Sequence, residues 1–170
     1  MTIMAIMRHA KSDWGQPGLA DFDRPLNERG RKAAKRVGRE LKHRKIGFDR
    51  VIGSPAARVR ETVVELEEGY GEPLSAQFER RIYEAGVDAL FELVRMIPEH
   101  VHAPLLVGHN PGLHQLVLRL ASGDDELRAR ISDNLPTGAL ALIELPAARW
   151  DEVEPGTGRI AELILPRELD

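Results

Sequence analysis

The chain has 170 residues, 42% hydrophobic and 30% charged, with a net charge of −3 at neutral pH. That length predicts one domain, residues 1–170, large enough to bury a core. The charge gives no global pull toward nucleic acid or an anionic membrane, and the absence of cysteine excludes disulfides, thiol catalysis and thiolate metal sites.

The elements alternate from the start. Ile3–Arg8 reads as a strand, and residues 10–25 as a polar loop broken by Gly15, Pro17, Gly18 and Pro25. Asn27 is a cap for a helix to about Arg44, with Ala33, Ala34, Val37 and Leu41 on one face. Arg50–Gly53 is a second strand. Ser54 as N-cap and Pro55 at the first helical position open a helix to Glu68. Ala76–Phe78 is a short strand, and Val87–Ile97 a helix stopped by Pro98. Pro104–Gly108 is a strand, and Asn110 begins a helix over Pro111–Ala121. Ala139–Leu145 and Arg159–Leu165 are strands joined across the Pro155-Gly156-Thr157-Gly158 turn, antiparallel at the sheet edge. This order predicts an α/β fold in three layers, α/β/α, with a mostly parallel sheet covered by helices on both faces. No apolar run is long enough to span a bilayer, and the N-terminus has no signal-peptide pattern. The expected location is cytoplasmic.

Three strand ends carry the chemistry. Met4-Ala5-Ile6-Met7 turns abruptly into Arg8-His9-Ala10-Lys11-Ser12, Leu105-Leu106-Val107 into Gly108-His109-Asn110-Pro111, and Val51-Ile52-Gly53 into Ser54-Pro55-Ala56-Ala57-Arg58. In open α/β sheets ligands bind beyond the carboxyl ends of the strands. Two histidines, two arginines and a helix N-terminus gathered there describe a site for a phosphoryl group.

These phrases resemble the histidine phosphatase superfamily, the phosphoglycerate mutase-like enzymes. Met7-Arg8-His9-Ala10-Lys11-Ser12 is similar to its signature, Ser54–Arg58 to its second phosphate-binding element, and Val107–Pro111 to its second histidine segment. Leu26-Asn27-Glu28-Arg29-Gly30 resembles the start of its first helix. The short length and the Gly-His-Asn-Pro-Gly phrase look most like the SixA-type phosphohistidine phosphatase branch. The resemblance implies a phosphoglycerate mutase-like fold and a phosphatase that needs neither cofactor nor metal. Its partner would be a protein carrying phosphohistidine or a small phosphorylated substrate.

It also implies roles. His9 is the expected nucleophile, since a neutral imidazole nitrogen can attack phosphorus and form a phosphohistidine. Arg8 and Arg58 would grip the phosphoryl oxygens, Arg58 being chosen over Arg60 by its spacing. His109 would be a third donor, protonated beside the phosphate. Glu84, in Arg81-Ile82-Tyr83-Glu84-Ala85, is either the general acid or an ordinary helix-start glutamate; the acid would need a pKa raised by burial or negative charge. Ser12 is either a phosphate contact or a turn residue, and Asn110 either orients His109 or caps.

Two departures stand out. Ala10 replaces the glycine usual after the first histidine, and Lys11 replaces the acidic residue usual next. Lys11 adds positive charge at the mouth, favouring an acidic or phosphorylated partner. No large insertion suggests a lid, so an open site is expected, which counts against a mutase. The rival readings are a small-molecule phosphomonoesterase or mutase, and a non-catalytic module that binds phosphate or phosphohistidine.

Other signals are weaker. The basic stretch 29–50 has an apolar face at helical spacing and no interleaved aromatics, so it reads as the solvated side of an amphipathic helix and not as a nucleic-acid surface. His100 and His102 read as loop residues without metal-ligand company. Trp14 and Trp150 either frame a binding face or pack.

Overall fold

In the computed structural model, which describes residues 1–14 and 16–169, the strand-forming runs assemble into one six-stranded sheet. The strands are β1 (Thr2–Arg8), β2 (Arg50–Gly53), β3 (Gln77–Phe78), β4 (Pro104–Gly108), β5 (Leu140–Leu145) and β6 (Arg159–Ile164). Their order across the sheet is β3-β2-β4-β1-β5-β6. The pairs among β3, β2, β4 and β1 are parallel, and β5 and β6 add antiparallel on the far side of β1.

The helices are α1 (Glu28–His43), α2 (Ala57–Tyr70), α3 (Val87–Arg95), α4 (Gly112–Leu120) and α5 (Glu126–Arg130). Side-chain alternation along β1 divides the core into two. Ala5 and Met7 face one side, where they pack with Val37 and Leu41 of α1 and Val59, Val63 and Leu66 of α2. Met4 and Ile6 face the other, with Leu90 and Val94 of α3 and Leu113, Leu116 and Val117 of α4. A strand with both faces covered has no solvated side, which is why its sequence is a continuous apolar run. The result is the expected three-layer α/β/α arrangement.

The caps differ from expectation at two helices. Asn27 does cap α1, its side chain accepting from the Gly30 N–H at 2.8 Å. Ser54 does not cap α2, which begins at Ala57 after an N-cap, Ala56, that has no capping side chain. The Ser54 hydroxyl accepts from the Ala56 N–H at 3.2 Å, in a local turn that precedes the helix. Nor does Asn110 open α4, whose N-cap is Pro111; its amide donates to the Leu135 carbonyl at 2.9 Å. α5, capped by Asp125, lies in a stretch with no assigned element in the sequence reading. The polar loop after β1 holds a short 3-10 turn, Asp21–Asp23, and an antiparallel bridge between Ser12 and Leu26 draws its two ends together. Gly15, one of its expected breakers, lies outside the described residues.

Candidate active site

The sheet register gathers the site. Arg8 of β1 lies opposite Gly108 of β4, and Gly53 of β2 opposite Val107 of β4. The residues one step beyond, His9, His109 and Ser54, therefore emerge side by side. The ladder continues into them: the His9 N–H donates to the Gly108 carbonyl at 3.0 Å and the Ser54 N–H to the Val107 carbonyl at 3.1 Å. Arg58 arrives from the first turn of α2.

Arg8, His9, Ser12, Arg58 and His109 line one cavity of about 540 Å³, together with Lys11, Asp13, Trp14, Asp21, Arg24, Asn110 and Thr137. Five of the six residues expected at the site thus meet. Glu84 is not among the lining residues; it is exposed, so the burial that a general acid would need is missing.

The His9 ring is 6% exposed. Its Nδ1 lies 2.7 Å from the Ala10 carbonyl oxygen. A carbonyl can only accept, so Nδ1 carries the hydrogen and Nε2 keeps its lone pair. Burial, only partly offset by that bond, pushes the His9 pKa down to about 3, with the charges of His109, Arg58 and Arg8 adding to the effect. At neutral pH the ring is an uncharged base with a free nitrogen.

The His109 ring centroid is 5.4 Å from that of His9, with the Tyr83 ring edge-on at 5.5 Å. Its Nε2 lies 2.7 Å from Ser54 Oγ. Burial first, and then the Arg58 charge, lower its pKa to about 4. The protonated form expected beside a phosphate is therefore disfavoured without an anion. A dianion in the cavity supplies the opposite charge that restores it.

The two guanidinium groups are held differently. Arg8 Nη1 donates to the Leu135 carbonyl at 3.0 Å, and among the described residues Arg8 makes no ion pair. Arg58, 6% exposed, donates to the Asp21 carbonyl at 2.8 Å and to its carboxylate at 3.1 Å. Arg60 is exposed, its guanidinium 5.6 Å from the Phe78 ring centre. Arg8 Nε, Arg58 Nε and His109 Nδ1 are buried nitrogens with no hydrogen-bond partner. Such groups cost about 1–3 kcal/mol each when left unpaired, and these three belong to residues that line the same cavity.

Several residues escaped the sequence reading. Asp21 is gripped by Arg58, by Arg24 Nε at 2.9 Å and by the Tyr83 hydroxyl at 2.7 Å. Burial works against its charge, but these bonds outweigh burial and hold its pKa at about 2. Ser12, expected as a phosphate contact or turn residue, accepts from Arg24 Nη1 at 2.8 Å. Thr62 accepts from the Ala10 N–H at 3.0 Å and donates to the Arg58 carbonyl at 2.6 Å, tying the His9 loop to α2. Signals for these were faint: Arg58 needs a counter-charge, but the chain offers 27 acidic residues to choose from.

The loop is also fixed to α1. The Asn27 N–H donates to the Lys11 carbonyl at 3.0 Å. A Cβ on Gly30 would sit 2.1 Å from that same oxygen, so only glycine allows the approach. Ala10 is fully buried against Leu26 and Ala34.

His114, on α4, lies 2.7 Å from the Ile131 carbonyl, outside the cavity lining. Trp150 is buried and donates to the Val101 carbonyl at 2.9 Å, so it packs. Trp14 is exposed at the cavity rim, with the Arg24 guanidinium 4.1 Å from its ring centre. Among the described residues, no three His, Asp or Glu side chains come together as a metal-binding group. No described helix is long and apolar enough to cross a membrane.

The Histidine phosphatase superfamily (branch 1) family model matches residues 4–133. An uncharacterized protein of Mycobacterium tuberculosis is 34% identical over 164 residues, covering 95% of this chain and 100% of the relative. An uncharacterized protein of Mycobacterium leprae is 31% identical over 166 residues, with 95% and 100% covered. A crystal structure from Agrobacterium tumefaciens, provisionally described as the phosphohistidine phosphatase SixA, superposes with a TM-score of 0.82 at 28% identity, over 97% of this chain and 98% of that one. The protein histidine phosphatase SixA complexed with tungstate superposes with a TM-score of 0.77 at 23% identity, over 98% of each chain, and shares the fold. With two histidines and two arginines meeting at the strand ends and the family model spanning residues 4–133, the chain belongs to the histidine phosphatase superfamily.

Proposed function

We propose that this chain is a phosphatase, one catalytic domain over residues 1–170, that hydrolyses a phosphoryl group through a covalent phospho-His9 intermediate. The observation that carries this reading is the His9 ring: uncharged, with Nδ1–H donated to the Ala10 carbonyl, so that Nε2 is the nucleophilic atom. In the first step Nε2 attacks phosphorus, a P–N bond forms, and the bond to the leaving atom breaks with its electron pair. In the second, water attacks the phosphorus of phospho-His9, the P–N bond breaks and inorganic phosphate leaves. Arg8, Arg58 and His109 stabilise the charge on the transferring oxygens, and a divalent cation is not required for that task.

The substrate class we propose is protein phosphohistidine. Support comes from the likeness to the SixA structure of Agrobacterium tumefaciens and from the chemistry of the leaving group. A protonated phosphoimidazole departs as a neutral ring, so no acid is needed at the position of Glu84, which the cavity does not include. In a phosphate ester the departing oxygen would need a proton donor.

Rapid acid and alkali quenching during turnover tests the reading. A phosphoenzyme stable in alkali and labile in acid, absent from His9→Ala, is the expected result. An acid-stable adduct would require another nucleophile. Phosphate or vanadate binding without any turnover would make the chain a binding module.

A further inference from the structure

Beside the cavity runs a second groove of about 430 Å³ that shares Lys11 and Thr137 with it. Its charged lining is Lys11, Arg29, Lys32, Arg36 and Arg167, with no acidic residue, in a chain whose net charge is negative. Its floor is apolar: Ala33, Pro136, Leu165 and Pro166.

These cations are not spent on internal pairing. Among the described residues only Lys32 has an ion-pair partner, Glu28 at 3.9 Å, and both of those side chains are 73% exposed. Arg36 Nε is buried without a hydrogen-bond partner. Arg29 sits in the first turn of α1, where the helix dipole disfavours positive charge. Helix stability therefore does not explain it.

We infer that this groove docks an acidic segment of the phosphorylated protein whose phosphoryl group enters the adjoining cavity. The inference rests on the phosphatase reading and extends it to the partner's surface. Arg29, Lys32 and Arg36 follow one another along one face of α1 at i, i+3 and i+7, a span of about 10 Å, which suits successive carboxylates better than a single small anion. The apolar floor accepts an aliphatic side chain between them. No aromatic side chain lines the groove to stack a base, which argues against single-stranded nucleic acid as the occupant.

The test uses three synthetic phosphohistidine peptides, with flanking glutamates, alanines or lysines, and a generic aryl phosphate. The wild-type protein is expected to show a KM about tenfold lower for the acidic peptide than for the neutral one, a difference that fades in high salt. The triple variant Arg29→Glu, Lys32→Glu, Arg167→Glu should lose that preference and favour the basic peptide, with aryl phosphate turnover unchanged. Arg29→Gln, Lys32→Gln, Arg167→Gln should fall between. All three positions are exposed except where they meet the groove, and acid near the start of α1 suits its dipole, so folding is preserved. Aryl phosphate hydrolysis without discrimination among the peptides, or discrimination unchanged in the triple variant, overturns the groove assignment alone. Tighter variant-sensitive binding to an RNA oligonucleotide or anionic vesicles than to the acidic peptide does the same. Failure on every substrate overturns the phosphatase reading, and the groove assignment with it.

Discussion

The ends of β1 and β4 each deliver a histidine to the same cavity, yet the two rings are held by different kinds of partner. His9 is held by a backbone carbonyl, which can only accept. His109 is held by the Ser54 hydroxyl, which can accept or donate. The first arrangement locks one tautomer and leaves one nitrogen permanently available. The second lets the ring gain or lose a proton as charge enters the cavity. Identical side chains at equivalent strand ends are thus prepared for different work by the atoms behind them.

Exchanging the side chains should expose this asymmetry. Replacing His9 by Ala should lower kcat by roughly 10³-fold or more and abolish the phosphoenzyme, because it removes the nitrogen proposed to make the P–N bond. A phosphoenzyme persisting in that variant would move the nucleophile elsewhere. Replacing His109 by Ala should lower kcat by about 10²-fold while a phosphoenzyme still forms, the cost of losing one donor to the transferring group. Ser54→Ala removes the partner of His109, together with the acceptor of the Ala56 N–H, and should cost about three- to tenfold with a changed pH profile. An effect equal to that of His109→Ala would mean that the hydroxyl itself touches the phosphoryl group.

Acid should reveal the two rings through stability. Both bind a proton less readily in the folded chain than in the unfolded one, where histidine titrates near about 6.5. Above that pH neither state is protonated and stability is full. As pH falls below it the unfolded state takes up protons first, so stability declines, down to about 4 for His109 and about 3 for His9. Calorimetry should show the midpoint dropping across this window, with a shallower drop in a His9→Asn, His109→Asn variant. The smallest effect belongs to chelation: EDTA should leave turnover unchanged, and a loss restored by one divalent ion would assign part of the charge stabilisation to a metal.

The strand ends were legible because a buried strand that stops at a polar residue writes its own boundary, as at Met7-Arg8, Gly53-Ser54 and Gly108-His109. Asn27 was legible as a cap because it precedes an amphipathic run. Ser54 and Asn110 were misread as caps because local rules describe what a polar side chain does near its own backbone. Each reaches a group far off in the chain, His109 for Ser54, which also makes a local turn, and the Leu135 carbonyl for Asn110. The Asp21 carboxylate was invisible for the same reason: its partners Arg58 and Tyr83 are 37 and 62 residues away. Long-range polar pairing has no period to read.

The contact between Gly30 and the Lys11 carbonyl has a mechanical consequence. With no side chain between them, and with the Asn27 N–H bonded to the same oxygen, the opening turn of α1 cannot slide against the segment that carries His9. Arg29 and Lys32 are therefore mounted on a rigid arm at a set span from His9. For the docking inferred above, such an arm would act as a ruler, rejecting a protein whose acidic patch and phosphorylated residue are separated by the wrong length, however well either one fits alone.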